Sequence, residues 1–290
     1  MKSLYIVLTA HDPLERVDVT LKVLEAYEKL PVKVTVDIFI DYLHEQDLDE
    51  FISLVDKADI SFDVSYYVAD EQYEGYYLCW AHKPVLKEFI KDECYDFYMY
   101  SENDMLFTKD NFLYWLNNKD KLKELNLEPG FCRFETYDGL KIPFDNYRKW
   151  SISRPTPNCW GSIPHNGSFY LTLTDSRQLG WFTLGNPYGG LMLLDQEDAS
   201  KYIRSASSDP VESYRLTGKR NWPIADRSSM GLCFDDLLPG QEHRRVVPVR
   251  KEGENLVVPD CALVEHLDCK YSKTLVEKGD IITTNSMLAY

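Results

Sequence analysis

Two carboxylates separated by one residue, Glu102 and Asp104 with Asn103 between them, are spaced for chemistry. Acids this close at a turn can converge on one hard cation, which takes oxygen ligands and keeps water or phosphate oxygens in its remaining positions. The same triplet also serves as a plain polar loop closing a strand. The residues before it say where it lies. Residues 95–100 (YDFYMY) are aromatic and apolar with little alternation, the composition of a strand buried on both faces of a sheet. An open α/β sheet gathers its ligands beyond the carboxyl ends of its strands, and the triplet falls at such an end.

The elements around it follow a repeating order. Residues 4–10 (LYIVLTA) form a continuous apolar run that stops at His11-Asp12-Pro13, predicting a first buried strand. Residues 16–30 carry Val17, Leu21, Val23, Leu24 and Tyr27 at helical spacing, and Pro31 ends that helix. Residues 32–40 and 60–68 predict two further strands with a helix over 47–57 between them. Two strand–helix–strand units in succession imply parallel pairing with right-handed crossovers, the nucleotide-binding half of a Rossmann-like sheet. No G-x-G-x-x-G follows the first strand, so the dinucleotide fingerprint is missing.

A buried strand ending in acid-x-acid near the hundredth residue of an α/β chain resembles the metal-binding signature of GT-A nucleotide-sugar glycosyltransferases, with Glu102 where the first Asp usually stands. The resemblance is at superfamily level. It implies an α/β fold, one GT-A domain over 1–290 with a mixed, mostly parallel central sheet flanked by helices. Residues 1–108 would bind the nucleotide, and 109–290 would form an acceptor-side subregion of loops and short strands with a C-terminal tail. It implies Mn²⁺ or Mg²⁺ held by Glu102, Asp104 and a later histidine, His266, imidazole suiting Mn²⁺ better than Mg²⁺. Thr9, Ala10 and His11 would line the base and ribose, Asp41 would approach the base or ribose hydroxyls, and Asn103 would join the donor site. His82 or Lys83, just ahead of the metal strand, would reach the base or phosphates.

The same resemblance gives roles to later segments. Gly189 and Gly190, ahead of the apolar LMLL, let backbone approach a ligand and would pass under the donor sugar. Asp195-Gln196-Glu197-Asp198 then opens a helix, where Asp195 reads equally as a cap. Asp226 immediately precedes an expected helix over 227–232. By resemblance it is the base that deprotonates the acceptor, with Asp198 in reserve, and attack with inversion follows. Helix capping is the competing reading of Asp226. The aromatic, Pro- and Gly-rich stretch 136–178 contains Trp160. Together with Trp222 it is expected to stack on acceptor sugars or to pack as a lid.

Composition sets outer bounds. The chain has 290 residues and a net charge of −15, which argues against general nucleic-acid binding, since that needs clustered Lys and Arg. Arg244, Arg245, Arg250 and Lys251 form a modest basic cluster, expected to be a solvated face or to touch an anionic acceptor or membrane surface. Seven scattered cysteines without a C-x-x-C pair predict free thiols in a reducing compartment. The chain lacks a signal-like start and any apolar run long enough to span a bilayer, so a cytoplasmic location is expected. The leading expectation is transfer of a sugar from a UDP- or GDP-linked donor to a saccharide or glycoconjugate acceptor. The alternatives are a sugar nucleotidyltransferase, for which residues 9–16 lack the usual Gly-rich basic loop, and a non-catalytic carbohydrate-binding protein.

Overall fold

The computed structural model describes residues 1–143, 170–172, 179–183, 186–217, 222–252 and 255–272. Trp160 lies outside the described residues. In chain order the elements are β1 (Ser3–Ala10), α1 (Val17–Tyr27), β2 (Lys33–Ile40), α2 (Leu48–Val55), β3 (Asp63–Val68), α3 (His82–Lys91), β4 (Phe97–Glu102) and β5 (Met105–Leu106). There follow α4 (Lys109–Lys123), β6 (Glu128–Pro129), β7 (Cys132–Tyr137), β8 (Leu140–Pro143), β9 (Tyr170–Thr172), β10 (Leu179–Thr183), β11 (Leu191–Asp195) and α5 (Gln196–Tyr202). The last are α6 (Glu212–Leu216), α7 (Ile224–Ser229), β12 (Arg245–Glu252), β13 (Asn255–Val257) and β14 (Leu263–His266). They form two compact units, Met1–Lys109 with Gly190–Asp235, and Asp110–Gly189 with Asp236–Tyr290.

The first unit is built on a sheet in the order β3-β2-β1-β4-β11. The strands β1 to β4 are parallel, and β11 runs antiparallel to β4. This is the mixed, mostly parallel α/β architecture expected from the sequence. β1 is central, and Leu4 through Leu8 are each fully buried. Tyr5 and Val7 share one face with Tyr98 and Tyr100 of β4 and Met192 and Leu194 of β11, covered by Leu86 and Ile90 of α3 and Ala199 and Tyr202 of α5. Leu4, Ile6 and Leu8 bury the opposite face of the strand. Removing a side chain of this size from water contributes roughly 1.5–3 kcal/mol, so the run that lacks alternation is the one that holds the sheet. β3 is the edge, and its residues are half-buried or exposed.

Prolines mark two helix starts, and the second differs from the sequence reading. α3 begins at His82, after a 3-10 turn over Gly75–Trp80, with Pro84 as its third residue. Proline is tolerated there because the first four N–H groups of a helix have no partner within it. α7 begins at Ile224 with Pro223 as its N-cap, so Asp226 is the third residue of the helix and does not cap it. Proline's fixed φ makes it the stronger start signal. By contrast Asp195 caps α5, its carboxylate accepting a hydrogen bond from the Asp198 amide at 2.9 Å.

In the second unit α4 runs unbroken to Lys123. Asn111 on its buried side donates to the carbonyls of Cys261 and Leu263 at 2.9 and 2.8 Å. One sheet has the order β13-β12-β10-β9, with β6 pairing β12. In the other, β7 pairs β14 in parallel and β8 antiparallel. Residues 136–143, at the start of the Pro- and Gly-rich stretch, belong to the β7–β8 hairpin. Its tip is Asp138-Gly139, both at positive φ (49° and 75°), the pair a tight hairpin turn favours.

Candidate functional site

In the first unit the carboxyl ends of three parallel strands are aligned by register. Ala10 pairs with Ile40, and Thr9 pairs with Glu102. The acid triplet therefore begins at the level where β1 ends. The Asn103 amide donates to the Thr9 carbonyl at 3.0 Å, and its side chain donates to Thr20 Oγ1 of α1 at 2.9 Å. Asn103 thus ties the triplet to β1 and α1 and is only 4% exposed.

Asp104 follows, 5% exposed. Arg16, from the loop after β1, donates to its Oδ2 at 3.1 Å. A carboxylate in so dry a place needs positive charge close by, and the guanidinium supplies it. Hard divalent cations take oxygen donors of this kind, so these carboxylates could hold one. Sequence reasoning does not single out Arg16. It lies 88 positions from Asp104, and a basic residue ahead of a helix carries no distinguishing mark.

The remaining donor-side residues fall into two groups. Thr9 and Ala10 are buried, with Thr9 Oγ1 3.2 Å from the Tyr100 hydroxyl and the Ala10 carbonyl accepting from the Asp41 amide at 3.3 Å. His11 is the first exposed residue after β1. Its Nδ1 stands 3.0 Å from Asp41 Oδ2. The fully buried Asp41 also accepts from the amides of Leu43 and Gly75 at 3.1 and 3.0 Å. One carboxylate therefore fixes the loops after β1, β2 and β3.

His82 belongs to the core. It is fully buried, stacked on Tyr100 with ring centroids 4.3 Å apart, and its Nδ1–H donates to the Cys79 carbonyl at 2.6 Å. Burial lowers its pKa to about 3 against a weaker opposing effect from that carbonyl, so the ring is neutral at physiological pH. Lys83 is half-buried. Desolvation lowers its pKa, with the Asp209 charge opposing.

Gly190 has φ +68°, and its carbonyl accepts from the Glu102 amide at 3.4 Å. A Cβ there would stand 2.6 Å from Met105 Sδ. The missing side chain thus makes room for a methionine next to the triplet. Asp226 lies in the first turn of α7. That helix is fastened by the Trp80 indole N–H to the Ile224 carbonyl at 3.0 Å, and by Arg227. Arg227 donates to Ser213 Oγ and to the carbonyls of Trp222 and Pro210 at 2.6–3.0 Å. Burial pushes the Cys79 thiol up to about 12, with the charges of Glu102 and Asp226 adding to the rise and a hydrogen bond from Ser228 opposing it.

The second unit holds His266, the last residue of β14, buried. Its Nδ1–H donates to Glu135 Oε1 at 2.8 Å. Glu135 is fully buried and also accepts from the backbone amides of Tyr271 and Ser272. Desolvation acts to raise the Glu135 pKa, but the hydrogen bonds from His266 and Ser272 together bring it below the ordinary value. A carboxylate that holds one imidazole nitrogen fixes the tautomer in which the other carries the lone pair, the arrangement found behind metal-bound histidines. In the same unit Gly189 has φ +68°, and its Cβ position is 3.6 Å from the Phe131 carbonyl. Arg245 does not join a basic surface. It is buried and donates to the carbonyls of Pro187 and Tyr188, while Arg244 pairs with Glu128 at 3.4 Å.

The six cysteines among the described residues are free thiols. Among those residues no helix is long and apolar enough to cross a membrane. No family model matches the chain, and no curated sequence matches it either. Among solved structures, the chain is similar over 70% of its length to 76% of the 4-diphosphocytidyl-2C-methyl-D-erythritol synthase of Anaerococcus prevotii, at 12% identity and a TM-score of 0.34. It is similar over 51% of its length to 40% of an S. aureus TarS fragment, at 12% identity and a TM-score of 0.33. For a longer TarS chain, of which it spans 22%, the identity is 9% and the TM-score 0.27. Scores this low support no transfer of function.

Proposed function

We propose that this chain is a metal-dependent glycosyltransferase that moves a sugar from a nucleoside diphosphate carrier to a carbohydrate acceptor. The observation that best supports the reading is the end of β4. Glu102 is in register with Thr9 of the central strand, and two residues on Asp104 is buried against Arg16. Glu102 and Asp104 would hold a divalent cation, which would neutralise charge growing on the departing nucleoside diphosphate. Arg16 brings a second positive charge for the same phosphates. His11 and the loop fixed by Asp41 lie where the nucleoside would enter. His266 carries the metal-ligand role that the family resemblance implies, supported by its carboxylate-held Nδ1. Asp226 is the base, with Asp198 second, and direct attack by the acceptor oxygen inverts the sugar. Gly189 and Gly190 border the sugar, and Trp222 and Trp160 serve the acceptor.

A thermal-shift panel tests the proposal. UDP or GDP should raise the melting temperature only with Mn²⁺ present. A ligand at about a hundred times its Kd adds about 2.7 kcal/mol, or several degrees. Asp104→Asn should lose that shift while melting cooperatively on its own. Stabilisation by a nucleoside triphosphate without a diphosphate effect indicates nucleotidyl transfer, and stabilisation by free sugar alone indicates a binding protein. Either result overturns the proposal. Hydrolysis of a set of nucleotide sugars then identifies the donor.

A further inference from the structure

A second cluster of ligating side chains lies in the first unit, in the loops that leave β1 and β2. His11, Asp12 and His44 each offer one atom, and these atoms lie within 4.8 Å of one another. Asp12 Oδ2 is 3.5 Å from His11 Nε2, and Asp12 Oδ1 is 2.6 Å from His44 Nε2. Tetrahedral bonds of about 2.0–2.1 Å set ligand atoms about 3.3 Å apart. The two observed separations, made to the two different oxygens of the Asp12 carboxylate, bracket that value. The imidazoles stand edge to face, 5.5 Å apart, so their Nε2 atoms approach the carboxylate from different directions.

The backs of both rings carry a second, independent pattern. His11 Nδ1 is 3.0 Å from Asp41 Oδ2, and His44 Nδ1 is 3.1 Å from Asp47 Oδ2. Each imidazole is therefore held by its own carboxylate at one nitrogen while the other faces Asp12. Metal-bound histidines are oriented in this way. Asp12 occupies the left-handed region, φ +50°, a conformation that aspartate accepts more readily than most residues. His44 departs from helical geometry within its 3-10 turn, at φ −115°. The side chains of His11, Asp12 and His44 are 53%, 33% and 24% exposed, so an ion can enter from solvent.

We infer that His11, Asp12 and His44 form a binding site for a borderline divalent cation such as Zn²⁺, separate from the Glu102–Asp104 pair. Two imidazoles and a carboxylate favour Zn²⁺ over Mg²⁺ or Ca²⁺, whereas the paired acids of β4 favour harder ions. The ion clasps the loop after β1 to the loop after β2. Three protein ligands leave a fourth position for water or a donor atom of a ligand. The inference does not depend on the glycosyltransferase reading.

The test is titration of the chelator-treated full-length protein with Zn²⁺ by calorimetry, with Co²⁺ as a spectroscopic probe. At least one equivalent should bind in wild type, the tight equivalent should persist in Asp104→Asn, and Co²⁺ in that variant should give the intense visible bands of a four-coordinate site. His44→Gln should weaken binding by at least about 100-fold. Asp47→Asn, which leaves all three ligands in place, should weaken it by about 10-fold. Unchanged stoichiometric binding in His44→Gln, or loss of the tight equivalent in Asp104→Asn alone, would overturn the inference. So would a wild-type protein that holds Zn²⁺ no better than free histidine does.

Discussion

His82 illustrates how far a side chain's surroundings can override its type. In sequence it is a histidine just ahead of an acid-tipped strand. In the fold it lies between Tyr100 and Tyr202 with its proton on the Cys79 carbonyl. Its pKa falls to about 3 because burial disfavours the charged ring, while the unfolded chain titrates near the ordinary value of about 6.5. Between those values the unfolded state binds a proton that the native state refuses, so stability drops as the pH is lowered through that window. Urea unfolding should lose about 2 kcal/mol between pH 7 and pH 5 from this group. His82→Gln should flatten the slope by that amount, and an unchanged slope would refute the assignment. Other residue-scale facts left no mark in the sequence. Arg16 meets Asp104 only once β1 and β4 are side by side. Glu135 holds His266 from 131 positions away, and neither residue type nor spacing announces such a pairing.

At the scale of elements, the strands were the legible part. β1 and β4 are long apolar runs because they lie inside the sheet, and β-favouring runs of that length are seldom found anywhere else. Direction was not legible. The apolar run of β11 reads as a core strand, but nothing in it specifies that it pairs antiparallel to β4. The start of α7 is hard to place because two capping signals, Pro223 and Asp226, stand three residues apart. The Asp138-Gly139 hairpin had a usable signal that the surrounding Pro and aromatic residues obscured. Gly190 links element to site. Its positive φ costs a β-carbon roughly 1 kcal/mol, and the added atom would also collide with Met105. Gly190→Ala should therefore destabilise by about 1–3 kcal/mol in denaturant titrations. The cost should be smaller when measured in a Met105→Ala background, where the clash is relieved. Equal costs in the two backgrounds would show that the methionine is not the obstacle.

For the whole molecule, the surplus of acids is the dominant quantity. A net charge of −15 raises the energy of any compact state through self-repulsion, which salt screens over about 10 Å at 0.1 M. Raising NaCl from about 20 to 200 mM should lift the melting temperature by a few degrees, and a flat or falling trend would mean that local ion pairs outweigh the net charge. The order in which the chain visits its units carries a different consequence. The partner of Ser101 in the sheet is Leu191, which leaves the ribosome roughly ninety residues later. At typical elongation rates the flank of β4 waits on the order of ten seconds for that partner. During the wait an aromatic strand edge is open to other nascent chains. Synthesis in the cell should thus depend on chaperone cover over that interval, and a fragment cut off before β11 would keep the edge permanently uncovered.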